Sequence, residues 1–341
     1  LSVLHDEIFE QPVALRRALE ASRETVSAVV AEAKRRDVRY IVLAARGTSD
    51  NAATYAKYLF QITCGIPVAL AAPSVHTLYE SEVDYRDGLV VGVSQSGAGE
   101  DVNEVVAQAR KRGALTLALT NTMNSPLAGI AEYVLPCNAG VEKAVAATKT
   151  YTTTLALFAQ LAAEWSGYSE LADNLQRIDA VAQKALALSV EEKIVALAQT
   201  LLHAERVLTV ARGLHLCTAI ESALKIAETT YTPTQSFSSA DLLHGPIASV
   251  AVRTPCLMFL PKGKTSVMMG EVAEKLAARG ARVIPFGGDD VNAIPLADPG
   301  TELLSPIVDI IPAQLLAYHL TVARGLDPDN PRGLTKVTVT R

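Results

Sequence analysis

Tyr40-Ile-Val-Leu-Ala-Ala-Arg-Gly-Thr-Ser49 is a short apolar run that ends on a glycine and two hydroxyl residues, and an alanine-rich stretch of helical spacing, Asn51 to Gln61, follows it. A strand, a turn and a helix in that order read as half of a βα unit. The pattern returns. Leu89-Val-Val-Gly-Val93 is followed by Ser94-Gln95-Ser96-Gly97 and a helical stretch that ends near Gly113. Leu115 to Leu119 and Tyr133 to Pro136 read as further strands, and a long helix is expected from about Ala146 to Trp165. Much later the whole plan recurs. Val207-Leu-Thr-Val-Ala-Arg-Gly213 echoes Ile41 to Gly47, with the two glycines about 166 positions apart. At that offset Cys256 to Leu260 overlays the strand before Ser94, and Gly263 overlays Gly97. Gly280 to Ile284 matches Gly113 to Leu117 with a shift of one. Three strands in register at nearly one spacing predict an α/β protein of two similar domains, each a mainly parallel sheet flanked by helices.

Composition agrees. A chain of 341 residues suits two domains of roughly 100–200 residues each. With 49% hydrophobic but only 5% aromatic residues, the core must be aliphatic and alanine-rich, as where helices pack on parallel strands. The expected division is a helical segment over 1–36, with Pro12 near a helix start, a first domain over 37–168, a helical connector over 169–203, a second domain over 204–324, and an irregular Asp/Pro/Asn/Gly-rich tail over 325–341. A net charge of −5 argues against a nucleic-acid partner, which calls for a basic excess. No uninterrupted apolar run of about 18 residues appears, so no membrane partner is expected. Cys64, Cys137, Cys217 and Cys256 form no CxxC pair; they read as reduced thiols of a cytoplasmic protein.

In open parallel sheets ligands bind beyond the carboxyl ends of the strands. In the first half those ends carry Gly47-Thr48-Ser49 and Ser94-Gln95-Ser96-Gly97. Free amides at a helix start, together with hydroxyls, cradle a phosphate without needing Lys or Arg. Simple helix capping by Ser and Thr is the competing explanation. The second half has lost these groups, since Leu214-His215 follows Gly213 and Pro261-Lys262 stands opposite Gln95-Ser96. There is no GxGxxG after a strand, and a P-loop reading of Gly263-Lys264-Thr265 would need a glycine where Met258 stands. The six histidines show no HExxH or other paired spacing, so neither a metal nor another cofactor is expected.

Glu221, Lys225 and Glu228 share one face of a helix that otherwise reads as buried. A surface ion-pair ladder is the plain alternative; charges on a buried face need partners or a ligand. His244, before Gly245-Pro246, occupies a sharply shaped turn or a core position. Lys336 by itself reads as a solvated tail lysine.

Together these segments resemble the sugar isomerase (SIS) family, over nearly the whole chain. Glu7-Ile-Phe-Glu-Gln-Pro12 resembles the family's opening segment, and the two serine loops resemble its phosphate loops. Val145-Ala-Ala-Thr-Lys149, Leu224 to Glu228, His244-Gly-Pro246, Gln314 to His319 and Pro331 to Lys336 complete the set in order. The resemblance is greatest to the isomerase half of glucosamine-6-phosphate synthases and to glucosamine-6-phosphate deaminases of SIS type. It implies flavodoxin-like three-layer domains and a hexose 6-phosphate or amino-hexose 6-phosphate substrate. Ser49, Ser94, Gln95 and Ser96 would hold the phosphate, assisted by Thr48 and the backbone at Val145 and Ala146. Glu228 would carry a proton between C1 and C2, His244 would open the sugar ring, donated from a partner subunit in a homodimer, and Lys336 would meet the C2 carbonyl. Those side chains suit such chemistry. A carboxylate shuttles a proton across an enolamine, an amine condenses with a ketone, and imidazole titrates near neutrality.

Two departures stand out. Ala98-Gly99 replaces the Glu-Thr that commonly continues the second loop, and Gln235 stands where an acid is frequent. No glutaminase segment precedes the isomerase-like unit in this sequence, which, unless the chain is a fragment, turns the expectation toward deamination of glucosamine 6-phosphate. The alternatives are the isomerase part of a glutamine-dependent synthase, a fructosamine-6-phosphate deglycase and a non-catalytic sugar-phosphate sensor.

Overall fold

The computed structural model describes residues 2–336, with the backbone alone at positions 188 and 189. The chain forms two compact units: Val13–Glu142, Lys149–Gln176 and Thr335–Arg341 make one; Leu1–Pro12, Lys143–Thr148 and Arg177–Leu334 make the other. Of the tail, positions 337–341 lie outside the described residues.

The first unit is built on five parallel strands, β1 (Tyr40–Ala44), β2 (Val68–Leu70), β3 (Gly88–Val93), β4 (Leu115–Thr120) and β5 (Tyr133–Pro136), in the order β2-β1-β3-β4-β5. The apolar runs read from sequence are β1, β3, β4 and β5. The first three are buried almost throughout, as strands covered on both faces must be. Alternate residues serve opposite faces. Val42, Ala44, Val90 and Ala118 pack on Val102, Val105 and Val106 of the helix Glu100–Lys111 and on Leu127 of the short helix Pro126–Ile130. Small residues set how closely these layers approach: a Cβ at Gly92 would stand 2.7 Å from both Leu127 and Val106. On the helix Thr48–Cys64, Phe60 meets Phe158 and Trp165 of the helix Lys149–Ser166 edge to face. The helix Gln11–Arg35 joins through Ser22 Oγ to Gln160 at 2.5 Å.

The second unit repeats the scheme with one strand fewer. β6 (Val207–Ala211), β7 (Thr234–Ser238), β8 (Pro255–Leu260) and β9 (Arg282–Gly287) are all parallel, in the order β7-β6-β8-β9. That is the first order without its last strand, so the repeat seen in the sequence is a repeat of topology. Leu208, Val210, Cys256 and Met258 pack on Leu242 and on Met269, Val272 and Leu276 of the helix Ser266–Ala278. The helices Leu188–Thr200, Leu216–Thr230 and Ile311–Ala323 pack together as a second layer. The Arg324 guanidinium gathers the carbonyls of Leu201, Ala204 and Thr230 and the Thr232 hydroxyl. The stretch Ser305–Ala323 is long and apolar enough to cross a membrane by length and composition alone, but 83% of it is buried inside the protein, as in a core helix.

The polar strand β7 and the three-residue edge strand β2 escaped the sequence reading. Thr-Gln-Ser-Phe-Ser carries no apolar alternation, and only its pairing with β6 makes it a strand.

Candidate active site

In each sheet the strand order reverses between the first and third strands of the unit, and there the loops diverge and leave a crevice. In the five-stranded unit the loops at that point are Ala45–Ser49 after β1 and Ser94–Gly99 after β3. Ala44 pairs with Gly92, so the two loops emerge side by side.

Their hydroxyls are not helix caps. Gly47, at φ 54°, caps the helix Thr48–Cys64, and Gly99 caps Glu100–Lys111, neither with a side-chain cap hydrogen bond, and in the first turn of the second helix it is Asp101 Oδ1 that accepts the Val102 N–H, at 2.8 Å. Instead Ser94 Oγ accepts from the Gly97 N–H at 3.1 Å and Ser96 Oγ from the Ala98 N–H at 3.3 Å. Each oxygen is thereby fixed as an acceptor, and its own O–H proton is left to donate to an anion. Among the described residues, the Ser49 hydroxyl and the Gln95 amide make no hydrogen bond, whereas the Gln95 carbonyl is held by the Asn121 N–H at 3.1 Å and the Thr120 hydroxyl at 3.3 Å. Gly97 lies at φ +64°, and a Cβ there would overlap the Ser125 hydroxyl. Only glycine fits. Arg46 is turned to Asp101 at 2.6 Å, so the seat is lined by dipoles. Burial pushes the Asp50 carboxyl above its usual range, with Arg46 opposing.

At the corresponding point of the four-stranded unit both loops are already occupied by the chain's own acids. His215 Nε2 and Asp309 lie 2.9 Å apart, both buried. Burial raises the Asp309 carboxyl, and His215 draws it back. After β8, the Glu302 carboxylate accepts the Lys264 N–H at 2.7 Å. A carboxylate thus fills the place where the first unit offers donors.

Glu228 lies on the helix Leu216–Thr230, half-buried, with its carboxylate 2.6 Å from Lys225 Nζ. Lys225 is buried, as is Glu221, whose carboxylate stands 3.5 Å from the same ammonium. The three charges therefore lie on an interior face, and the surface-ladder alternative falls. His244 ends the helix Ser239–Leu243 and is exposed, before Gly245 at φ +146°; it is not a core histidine. Lys336 is no solvated tail residue. Its Nζ lies 2.9 Å from Glu142, and that buried carboxylate also accepts from the N–H and hydroxyl of Thr150 at 3.1 and 2.8 Å. Val145 is half-buried and Ala146 buried in the four-stranded unit, where Glu7 accepts the N–H groups of Lys143 and Ala144 at 2.5 and 3.2 Å. The structure therefore places Ser49, Ser94, Gln95 and Ser96, with Thr48, just beyond the ends of the paired strands β1 and β3, and sets Lys336 in the same unit; Glu228, His244, Val145 and Ala146 belong to the other.

Sequence reasoning missed Glu142, Glu7 and Glu302. The first had a signal: a charge on each side of the apolar Val145-Ala-Ala segment, Glu142 and the almost fully buried Lys149, whose ammonium donates to the Val141 carbonyl at 2.7 Å. The expectation of no metal rested on linear spacing. The fold gathers His5, Glu191 and His319, which linear spacing does not connect.

Two parallel α/β units, one with hydroxyl-bearing loops at its switch point, set the architecture. The chain belongs to the SIS domain family, whose model matches residues 25–164 and 200–324. It is 37% identical to the glutamine–fructose-6-phosphate aminotransferase (isomerizing) of Thermococcus kodakarensis, across 98% of this chain and 57% of that protein. It therefore spans little more than half the length of that relative. The C-terminal domain of glucosamine-fructose-6-phosphate aminotransferase from Francisella tularensis superimposes with a TM-score of 0.86 at 27% identity, covering 97% of this chain and 98% of that one. Glucosamine-6-phosphate deaminase from Thermotoga maritima shares the fold, with a TM-score of 0.81 at 22% identity over 99% of this chain and all of that one.

Proposed function

We propose that this chain is an amino-sugar-phosphate isomerase and deaminase that converts glucosamine 6-phosphate to fructose 6-phosphate and ammonia. The observation that carries the reading is the contrast between the two switch points. One presents hydroxyls and an amide whose protein partners leave donors free; the other is filled by Glu302 and Asp309. A phosphate accepts what the first offers. The names of the relatives supply the amino-hexose class.

Ser49, Ser94, Gln95 and Ser96 hold the phosphate in this reading, with Thr48 and the backbone of Val145 and Ala146 assisting. His244 moves the ring-opening proton; exposed as it is, it suits donation across a homodimer. Glu228 takes the proton from C2 of the open aldose and returns it to C1, giving the ketose imine. Water adds to C2 and ammonia leaves, and Lys336 can substitute for ammonia on that carbon as a transient imine. The ammonium of Lys225 lies 2.6 Å from the Glu228 carboxylate and orients it. Four free thiols fit the reducing cytoplasm.

A second reading is the isomerase part of a glutamine-dependent synthase, favoured by 37% identity over nearly all of this chain. One panel tests both. Purified protein is given glucosamine 6-phosphate, fructose 6-phosphate with and without ammonia, and a fructosamine 6-phosphate. Ammonia release from the first is expected. Folded protein that releases none, yet isomerises fructose 6-phosphate, would favour the second reading.

A further inference from the structure

Outside the catalytic groups, the four-stranded unit holds a cluster that the sugar chemistry does not use. His5 lies on the helix Val3–Phe9, Glu191 on Leu188–Thr200 and His319 on Ile311–Ala323. Both imidazoles turn Nε2 to one oxygen, Glu191 Oε1, at 3.0 Å from His5 and 2.9 Å from His319. The three donor atoms all lie within 4.8 Å of one another. Tyr318 and Phe9 pack on the His5 ring, at centroid distances of 4.9 and 4.6 Å, and hold its plane.

We propose that His5, Glu191 and His319 form a binding site for a divalent first-row transition ion, of which zinc is the type. Two imidazoles and a carboxylate are borderline-soft ligands that suit such an ion and leave positions open for water. The spacing fits. Metal–ligand bonds of about 2.0–2.1 Å at octahedral or tetrahedral angles set ligand edges of roughly 2.9–3.4 Å, and the two edges through Glu191 have that length.

A purely hydrogen-bonded cluster explains the geometry less well. If both Nε2 atoms carry protons and donate to Glu191, both Nδ1 atoms are bare acceptors. His5 Nδ1 is buried and has no hydrogen-bond partner. With a metal on Nε2, the proton moves to Nδ1, and the nearest acid is the Asp6 carboxylate at 4.0 Å. Asp6 is largely exposed and free to swing closer, completing the acid–imidazole–metal arrangement that fixes a ligating ring. Glu191 and His319 are each 17% exposed, which gives an ion a way in. The ion would tie the first helix of the chain to two helices from its second half.

The test is zinc titration of untagged, chelator-stripped full-length chain by calorimetry, with cobalt as a coloured substitute and magnesium as the hard-cation control. One saturable equivalent of zinc, a visible cobalt spectrum and no magnesium binding are expected. The thermal midpoint should rise with zinc. Glu191→Gln and His319→Ala should each weaken binding at least about tenfold, with ammonia release in zinc-free buffer unchanged. Should His319→Ala fail to fold, His319→Gln, which can still bond the carboxylate, takes its place. Stripped wild-type protein without a saturable equivalent overturns the proposal, and so does zinc binding undiminished in both variants.

Discussion

The Glu302 carboxylate accepts the Lys264 N–H at 2.7 Å in the loop after β8, whereas in the loop after β3 the N–H groups of Gly97 and Ala98 are accepted by that loop's own Ser94 and Ser96 hydroxyls. The two loops share a glycine that a different neighbour enforces in each. At Gly263, φ is +143° and a Cβ would overlap Glu302; at Gly97, φ is +64° and a Cβ would overlap Ser125. Alanine at either position combines backbone strain with steric overlap, at a cost of about 1–3 kcal/mol. Gly263→Ala should lower the unfolding midpoint and leave hexose 6-phosphate affinity intact. Gly97→Ala should lower both, because the displaced loop carries Ser94 and Ser96. Calorimetric titration beside denaturant unfolding separates the two; equal phosphate affinity in both variants would refute the assignment of the open seat.

Kinetics should divide the site by role. Under the proposed function, Ser96→Ala and Ser94→Ala each remove one hydrogen bond to a charged phosphate, worth about 1.5–3 kcal/mol. KM should therefore rise about tenfold or more, with kcat little changed. If Glu228 is the proton carrier of the proposed reaction, Glu228→Gln should cost roughly 10²–10⁴ in kcat with phosphate binding kept. A Glu228→Gln variant of near-normal kcat would move the base elsewhere.

How much of this was legible in the sequence follows from the range of the contacts. β1, β3 and β4 are local apolar runs, and their recurrence as β6, β8 and β9 at a nearly fixed spacing revealed the second unit. The hydroxyl loops were legible because all their groups lie within a few residues of one strand end. β7 was not, because its Thr-Gln-Ser-Phe-Ser has strand form only through β6. Nor was the closing of the second seat, since Glu302 reaches Lys264 from 38 positions away. Lys336 read as a tail residue for the same reason: Glu142, 194 positions earlier, gives it a place. The cluster of His5, Glu191 and His319 spans the chain and has no spacing to read.

Glu7 offers a stability test of such a long-range contact. Its carboxylate accepts two backbone N–H groups, of Lys143 and Ala144, in the segment that leads to Val145 and Ala146. Glu7→Ala takes the carboxylate away from a part-buried and a buried N–H, and losing a hydrogen bond to a charged group costs about 1.5–3 kcal/mol. Urea unfolding should show the loss, and Glu7→Gln, which keeps one acceptor oxygen, should recover part of it. A Glu7→Ala midpoint equal to that of wild type would show that water replaces the carboxylate.

Acid should weaken the first unit through Glu32. Hydrogen bonds from Arg35 and then Arg36 lower its carboxyl from 4.5 to about 2, and Arg36 also pairs with Glu132 at 2.7 Å. A carboxyl whose folded pKa is depressed stabilises the fold above its unfolded pKa, because the unfolded chain takes up the proton first as pH falls. The contribution of Glu32 is thus complete above about pH 4.5 and lost as pH falls from there to about 2. These are surface groups, so the effect is small and should shrink in salt. Thermal midpoints of wild type and Glu32→Gln, compared from about pH 6 to about pH 2, should converge towards the acid end at low ionic strength. A difference between them that stays constant over that range would mean that the Glu32 pairs do not contribute to folding.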